Sequence, residues 1–364
     1  MDCSGATPGA FTSIHDALAA LPATGPNSIS VTGTCHENVV MSGRTDLNIS
    51  GNPTATVVPG NANGHLLAIG GSQRVGIQNI TFDGGHGAIV SDNSRVDFIN
   101  VTIQNSLAIG LTTIDSLVRI ADSTVKNSTR SGISIGGGTF YVDSAETGTT
   151  VTANGRVGIS VATGHLILNG GDGVTPGTEN IISNNGSVGV AVANSAEADI
   201  NGDNRIIGNQ GAFGLEVIHT STVIMSDGTI SSNAGMGVHC GETSHCEWSG
   251  ATTIDSNGKG GIEITDHSDA YLDGGIDISG NTGAGVLVDL SSLLNSLGGN
   301  TINNNTDDGI VLNTLSVLKF AANDTITGNG KLALECNNGS LVSGNISTYK
   351  PKKCGAAFQA TPIN

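Results

Sequence analysis

Glu216, His239 and Glu263 recur at intervals of 23 and 24 residues along this 364-residue chain. Around the middle one lies its densest run of reactive side chains, "MGVHCGETSHCEWSG" at 236–250, with two histidines, two cysteines, two glutamates and the only tryptophan. A second series, His219, Glu242 and Asp266, repeats the spacing three residues later. Carboxylates interleaved with imidazoles can divide acid and base roles, because clustered carboxylates push their pKa values apart. An oxygen-rich set such as Glu242, Glu263 and Asp266 suits Ca2+, and an added His219 or His267 would favour a transition metal. Two thiols beside two imidazoles could hold zinc only if all four faced one side. Which of these side chains meet depends on the elements that carry them.

Those elements repeat. A Gly followed by alternating apolar residues recurs as "GAIV" at 87, "GLTT" at 110, "GISI" at 132, "GISV" at 158, "GVAV" at 189, "GLEV" at 214, "GVHC" at 237, "GIEI" at 261, "GVLV" at 285 and "GIVL" at 309, with weaker copies "GHLL" at 64 and "LALE" at 332. Period-2 alternation without a helical period reads as strand, turn, strand, turn. An Asn precedes nearly every anchor Gly: Asn105, Asn127, Asn154, Asn185, Asn209, Asn233, Asn257, Asn281 and Asn305. One Asn per turn at one corner should stack into an amide ladder. A helix-free repeat this short fits neither a leucine-rich horseshoe nor a propeller blade of ~40 residues. What remains is an all-β, single-stranded right-handed parallel β-helix of about twelve coils stacked at ~4.8 Å. "AFTSIHDALAALP" (10–22) sets Phe11, Ile14, Leu18 and Leu21 at helical spacing, an N-terminal cap. The expected layout is a cap with first strands over 1–63, coils over 64–335 and a C-terminal cap or tail over 336–364, in one structural domain.

Composition narrows the function classes. Thirty-one acidic residues against 14 Lys and Arg give a formal charge of −17, so a nucleic-acid partner is not expected. No apolar run reaches the ~18 residues of a membrane span. No signal peptide is visible, and "MDCSGATPG" reads as an added start on a processed chain. Six cysteines favour an oxidising compartment, so a secreted protein is expected. Sequence proximity suggests the pairs Cys3–Cys35, Cys240–Cys246 and Cys336–Cys354.

With its Gly-anchored coils, Asn corner and N-terminal helix, the chain resembles right-handed parallel β-helix proteins of the pectin lyase-like superfamily. Its opening, "FTSIHDALAALP…SISVTGTCHENV", is similar to the start of pectin methylesterases and of secreted bacterial β-helix repeat proteins. The resemblance implies polysaccharide substrates in general. "NITF" (79–82) and "VDFI" (96–99) echo methylesterase segments, but Trp248 has neither Arg nor Pro beside it. "GHG" (85–87) and "NTDD" (305–308) echo polygalacturonases in reversed order, on turn positions of the repeat.

The repeat register assigns directions. Two residues after each anchor Gly the side chain faces out, which puts Glu216, His239 and Glu263 on neighbouring coils. Five after it, at the corner, come His219, Glu242 and Asp266. Cys240, Cys246 and Trp248 point inward, so the cysteines form a staple and not a zinc site. Three readings of the outward cluster stand side by side: a solvated acidic face in which His relieves carboxylate repulsion; a site that acts on a glycan, with Glu216, His239 and Glu263 catalytic; and a divalent cation, Ca2+ foremost, held by Glu242 and Asp266 with Glu263 and His219 or His267. Glu216 and Glu263, two coils apart, lie ~9–10 Å apart between backbones, near the ~6.5–9.5 Å of inverting glycosidases. His219, Lys259 and Tyr271 are candidate substrate contacts, Lys259 as the nearby cation and Tyr271 as a sugar-stacking ring. An acidic groove prefers a neutral glycan or one bridged by Ca2+. The expectation is a secreted protein that binds extracellular polysaccharide and, in the enzymatic reading, cleaves or modifies it as a glycosidase or lyase. The alternative is a non-enzymatic surface, adhesion or spacer β-helix. A trimeric spike needs an outward apolar stripe, for which Leu287, Leu290 and Val311 are the candidates. The glycan and the oligomeric state stay open.

Overall fold

The computed structural model describes residues 1–321 and 324–354. It is an all-β parallel β-solenoid of about 13 turns, 53% strand and 2% helix. By contacts the chain divides into two compact units, Met1–Gly186 and Ser187–Asn364.

In the first unit a single helix, Ile14–Ala20, packs Ile14, Ala17 and Leu18 against the strands Thr24–His36 and Val39–Ser42. It is shorter than the 10–22 pattern. Ser13 takes the N-cap and its hydroxyl accepts the Asp16 N–H, while Leu21 is already extended. Phe11 is exposed. The capping hydroxyl outcompetes apolar spacing in setting the start. The Glu37 carboxylate also accepts the N–H groups of Ile14 (2.6 Å) and His15 (3.0 Å). At the other end Arg44 donates to the carbonyls of Leu18, Leu21 and Pro22. Cys3–Cys35 ties the N-terminus to the first long strand. The following strands, among them Leu111–Ala121, Ile133–Asp143 and Ile159–Asn169, all pair in parallel.

In the second unit most turns supply three strands, but the turns 213–231 and 236–255 supply two, their second strands Thr222–Ser231 and His245–Asp255 running through to the third position. The first sheet contains Val190–Val192, Phe213–Val217, Met236–Cys240, Gly260–Ile264, Val286–Val288, Ile310–Leu312 and Leu334–Cys336. Inward residues form columns of buried side chains, for example Val223–Cys246–Ala270–Leu294–Leu318 on the second sheet. Trp248 lies fully buried between Met225 and Leu272. Cys240–Cys246 crosses the interior, and Cys336–Cys354 fastens Lys352–Lys353 alongside Leu334–Cys336. Residues 355–364, part of the expected tail, lie outside the described residues.

The Asn ladder runs through Asn209, Asn233, Asn257, Asn281, Asn305 and Asn329. Each Oδ1 accepts both the backbone N–H and the side-chain amide of the Asn one turn earlier, at 2.9–3.1 Å. The anchor glycines make room for it: a Cβ on Gly237 would lie 2.7 Å from Asn257 Nδ2. In the first unit Asn154 and Asn185 are laddered in the same way. Asn105 and Asn127 are not. They stand exposed one residue early, at positive φ, and buried Ser106 and Ser128 take the inward place. The left-handed corner suits Asn itself, so an Asn in the sequence can mean either position.

No helix among the described residues is long and apolar enough to cross a membrane.

Candidate functional site

The site is built on the first sheet of the second unit. Glu216 stands opposite His239, and His239 opposite Glu263. The residues before and after them in this column are Ala191 and Leu287, so its chemistry is three turns tall. Alternation keeps Leu215, Val238 and Ile262 inside, with the next inward residues Val217, Cys240 and Ile264. The core thus fixes the backbone beneath each outward side chain.

His239 Nδ1 lies 2.9 Å from Glu263 Oε2, and these side chains are 14% and 27% exposed. The Phe213 ring stacks on the imidazole, 4.4 Å between centroids at 17°. The Nε2 edge overlies Gly241, where a Cβ would fall 2.7 Å from Nε2. A carboxylate on Nδ1 fixes the tautomer and orientation of the ring and leaves Nε2 as its second nitrogen. Beside it, burial pushes the Glu216 carboxyl above the usual carboxylate range. His239 and His219 oppose that shift and Glu242 adds to it. An oriented imidazole and a carboxyl whose pKa burial raises are therefore neighbours.

The first corner follows. At each turn two consecutive residues adopt positive φ: Asn194 and Ser195, His219 and Thr220, Glu242 and Thr243, Asp266 and His267, Leu290 and Ser291. Such conformations cost about 1–3 kcal/mol each. Bonds between turns hold them, such as Thr220 N–H to Glu242 O (3.0 Å) and Thr243 N–H to Asp266 O (2.9 Å). Beneath runs a column of buried serines, with the N–H groups of Ser221, Ser244 and Ser268 given to the next turn's hydroxyl. His219 Nε2 meets Glu242 Oε2 at 2.6 Å, both about half exposed. These two, with Asn194, Ser195, Thr220 and Thr243, line a shallow open depression of about 490 Å³.

Not every expected residue joins. Tyr271 lies on the second sheet, opposite Glu247 and Asn295 and 5.5 Å from the His245 ring. Lys259 is exposed in the turn before Gly260–Ile264, ~13 Å of extended backbone from Glu263. The Ca2+ donors are not gathered, since Glu242 is paired with His219 and Glu263 with His239. Among the described residues, ligand atoms of three such groups come within 4.8 Å of one another only at Cys3, Cys35 and Glu37, and there the thiols form a disulfide. Cys240 and Cys246 are bonded as well.

Phe213, Gly241 and the pair His245–Asp269 (2.7 Å) escaped the sequence reading. Phe213 immediately precedes an anchor Gly, and His245 and Asp269 repeat the 24-residue interval, so both signals were present. Gly241 carries none, because its role is the space it leaves.

Residues 165–349 match the family model described as a right handed beta helix region. No curated protein matches the sequence. Among solved structures, the A-module of mannuronan C-5 epimerase AlgE4 from Azotobacter vinelandii is similar, with 15% identity, a TM-score of 0.57 and coverage of 91% of this chain and 94% of that one. The AlgE6 A-module from the same organism gives 15%, 0.50, 91% and 93%. The Streptococcus pneumoniae surface adhesin PfbA gives 11%, 0.41, 85% and 91%. At these identities the likeness is one of fold.

Proposed function

The chain belongs to the right-handed β-helix family, and from that premise we propose that it binds extracellular polysaccharide on the outer face of turns 213–279 and modifies it there by proton transfer. The observation that carries this reading is the hydrogen-bonded pair His239–Glu263 beside Glu216, a carboxyl whose pKa burial raises. His239 Nε2 takes a proton from the attacking water or from the sugar. Glu216 gives one to the departing glycosidic oxygen. Glu263 orients the imidazole through its contact with Nδ1. It is not the second carboxylate of an inverting pair, because its Oε2 already holds His239. The acidic corner of Glu242 and Asp266 disfavours a bare polyuronate at this point, so neutral sugar units, or acidic ones bridged by a cation, fit best. Three disulfides suit the oxidising exterior in which such a polymer is met. That two solved structures of this fold are named as epimerases of a polysaccharide supports the choice of ligand class for the assay.

The test is a panel of polysaccharides incubated with and without Ca2+, read as new reducing ends, unsaturated products or changed sugar configuration. The wild type should act on one member. Glu216→Gln and His239→Gln should lose at least about 100-fold, as removal of a general acid or base does, with circular dichroism unchanged. No product from any glycan would favour the second reading, a surface or adhesion role. The exposed Leu290 (41%) and Leu315 (62%) at the same corner support that reading.

A further inference from the structure

We infer a separate anion-holding subsite in the first unit, built on Arg130 and Arg156, that seats the carboxylate groups of an acidic polysaccharide. It does not rest on the reading above.

Arg156 N–H donates to Arg130 O at 3.1 Å, and Arg130 N–H to Ala108 O at 3.0 Å. The two arginines therefore occupy the same place on adjacent turns, ~4.8 Å apart between backbones. Both are exposed. Elsewhere Arg74, Arg119 and Arg205 each pair with an aspartate, Asp46, Asp143 and Asp203. Arg130 and Arg156 have no ion pair among the described residues. Lys126, in the strand just before this corner, faces out between Gln104 and Thr152 and also has none. With 31 acidic residues available against 14 Lys and Arg, two exposed guanidinium-bearing side chains on adjacent turns without a counter-charge are an unbalanced local field that an external anion completes.

The adjoining surface defines the ligand further. Four residues after each arginine the first sheet turns outward Ser134 and Ser160, with Thr112 next in the column. This face carries hydroxyls and no carboxylate before the corner at Asp115. Hydroxyls suit sugar hydroxyls, and the planar guanidinium fork suits a carboxylate bidentately. The net charge of the chain does not forbid this, because exposed charges beyond ~8 Å are largely screened at physiological ionic strength.

The experiment measures binding of polygalacturonate, dextran sulfate and neutral dextran by calorimetry, from about 50 to about 200 mM salt. The wild type should bind polygalacturonate best, more weakly as salt rises, and should not bind dextran. R130Q/R156Q should weaken polygalacturonate binding about tenfold or more. R130K/R156K should recover only part of it, since Lys offers a point charge. Circular dichroism should report unchanged fold, and any turnover on the glycan panel should persist in both double variants. Glu216→Gln should leave this binding intact, so failure of one reading leaves the other standing. Undiminished polygalacturonate binding in R130Q/R156Q, or no binding by the wild type, overturns the subsite. Stronger wild-type binding to dextran sulfate overturns its assignment to carboxylates.

Discussion

Gly241→Ala isolates the geometry of the proposed base without touching its chemistry. An added Cβ would stand 2.7 Å from His239 Nε2 and 3.1 Å from Cε1. Ordinary contact begins near 3.5 Å, so the ring must withdraw by about 0.8 Å. Phe213, stacked on its face, limits sideways escape, and the displacement lengthens the 2.9 Å bond to Glu263. Gly241 is buried, but the obstructed atoms are the tip of a partly exposed side chain and not backbone, so the stability loss should stay below about 1 kcal/mol, the low end of the roughly 0.5–3 kcal/mol of point substitutions. A misplacement near 1 Å costs about 100-fold in rate, so turnover of the responsive glycan should fall roughly 30- to 100-fold. Urea denaturation supplies the first number and initial rates the second. Phe213→Leu should relieve part of the defect by letting the ring move. Full turnover by Gly241→Ala, where His239→Gln is inactive, would refute the assignment of Nε2 as the working nitrogen.

Asn257→Ala leaves the Asn233 backbone N–H and one amide N–H buried without acceptors, about 2–6 kcal/mol at 1–3 per orphaned group; Asn257→Asp should be worse, setting a carboxylate against Asn281 Oδ1 and Ile230 O. Chemical denaturation checks both, and a loss under about 0.5 kcal/mol would show that the ladder is decoration. Glu216 has a raised folded-state pKa, so its contribution to stability is complete below the unfolded value of about 4.3 and fades as pH rises through the folded one. Wild-type stability relative to Glu216→Gln should therefore decline from acid towards neutral pH, and a parallel pair of curves would contradict the burial argument. Replacing both Cys240 and Cys246 by Ala opens a loop of six-residue separation, worth about 2–2.5 kcal/mol in chain entropy; a thermal melt unchanged by that substitution would mean that the core alone holds the turn.

Much of the molecule is written in one dimension. A Gly every two dozen residues followed by alternating aliphatics specifies strand faces and the stacking of like positions, because side-chain direction in a strand has period two and each turn repeats the last. That is why the columns Glu216–His239–Glu263 and His219–Glu242–Asp266 and the inward Trp248, Cys240 and Cys246 could be read directly, while the three cysteine pairs followed from proximity along the chain. What the chain alone left open depends on atoms brought close from other turns. Whether Glu263 serves His239 or stands free, and whether Glu242 meets a cation or His219, is settled by side-chain torsions packed against Phe213 and the corner. Whether an Asn points into the ladder or bends the backbone is settled by left-handed dihedrals one residue away, as Asn105 and Asn127 show against Asn154. Tyr271 lies on the other side of the corner from the base because two successive positive-φ residues turn the strand there. Alternation and repeat length are local properties of sequence, whereas pairings across turns follow from how neighbouring turns pack.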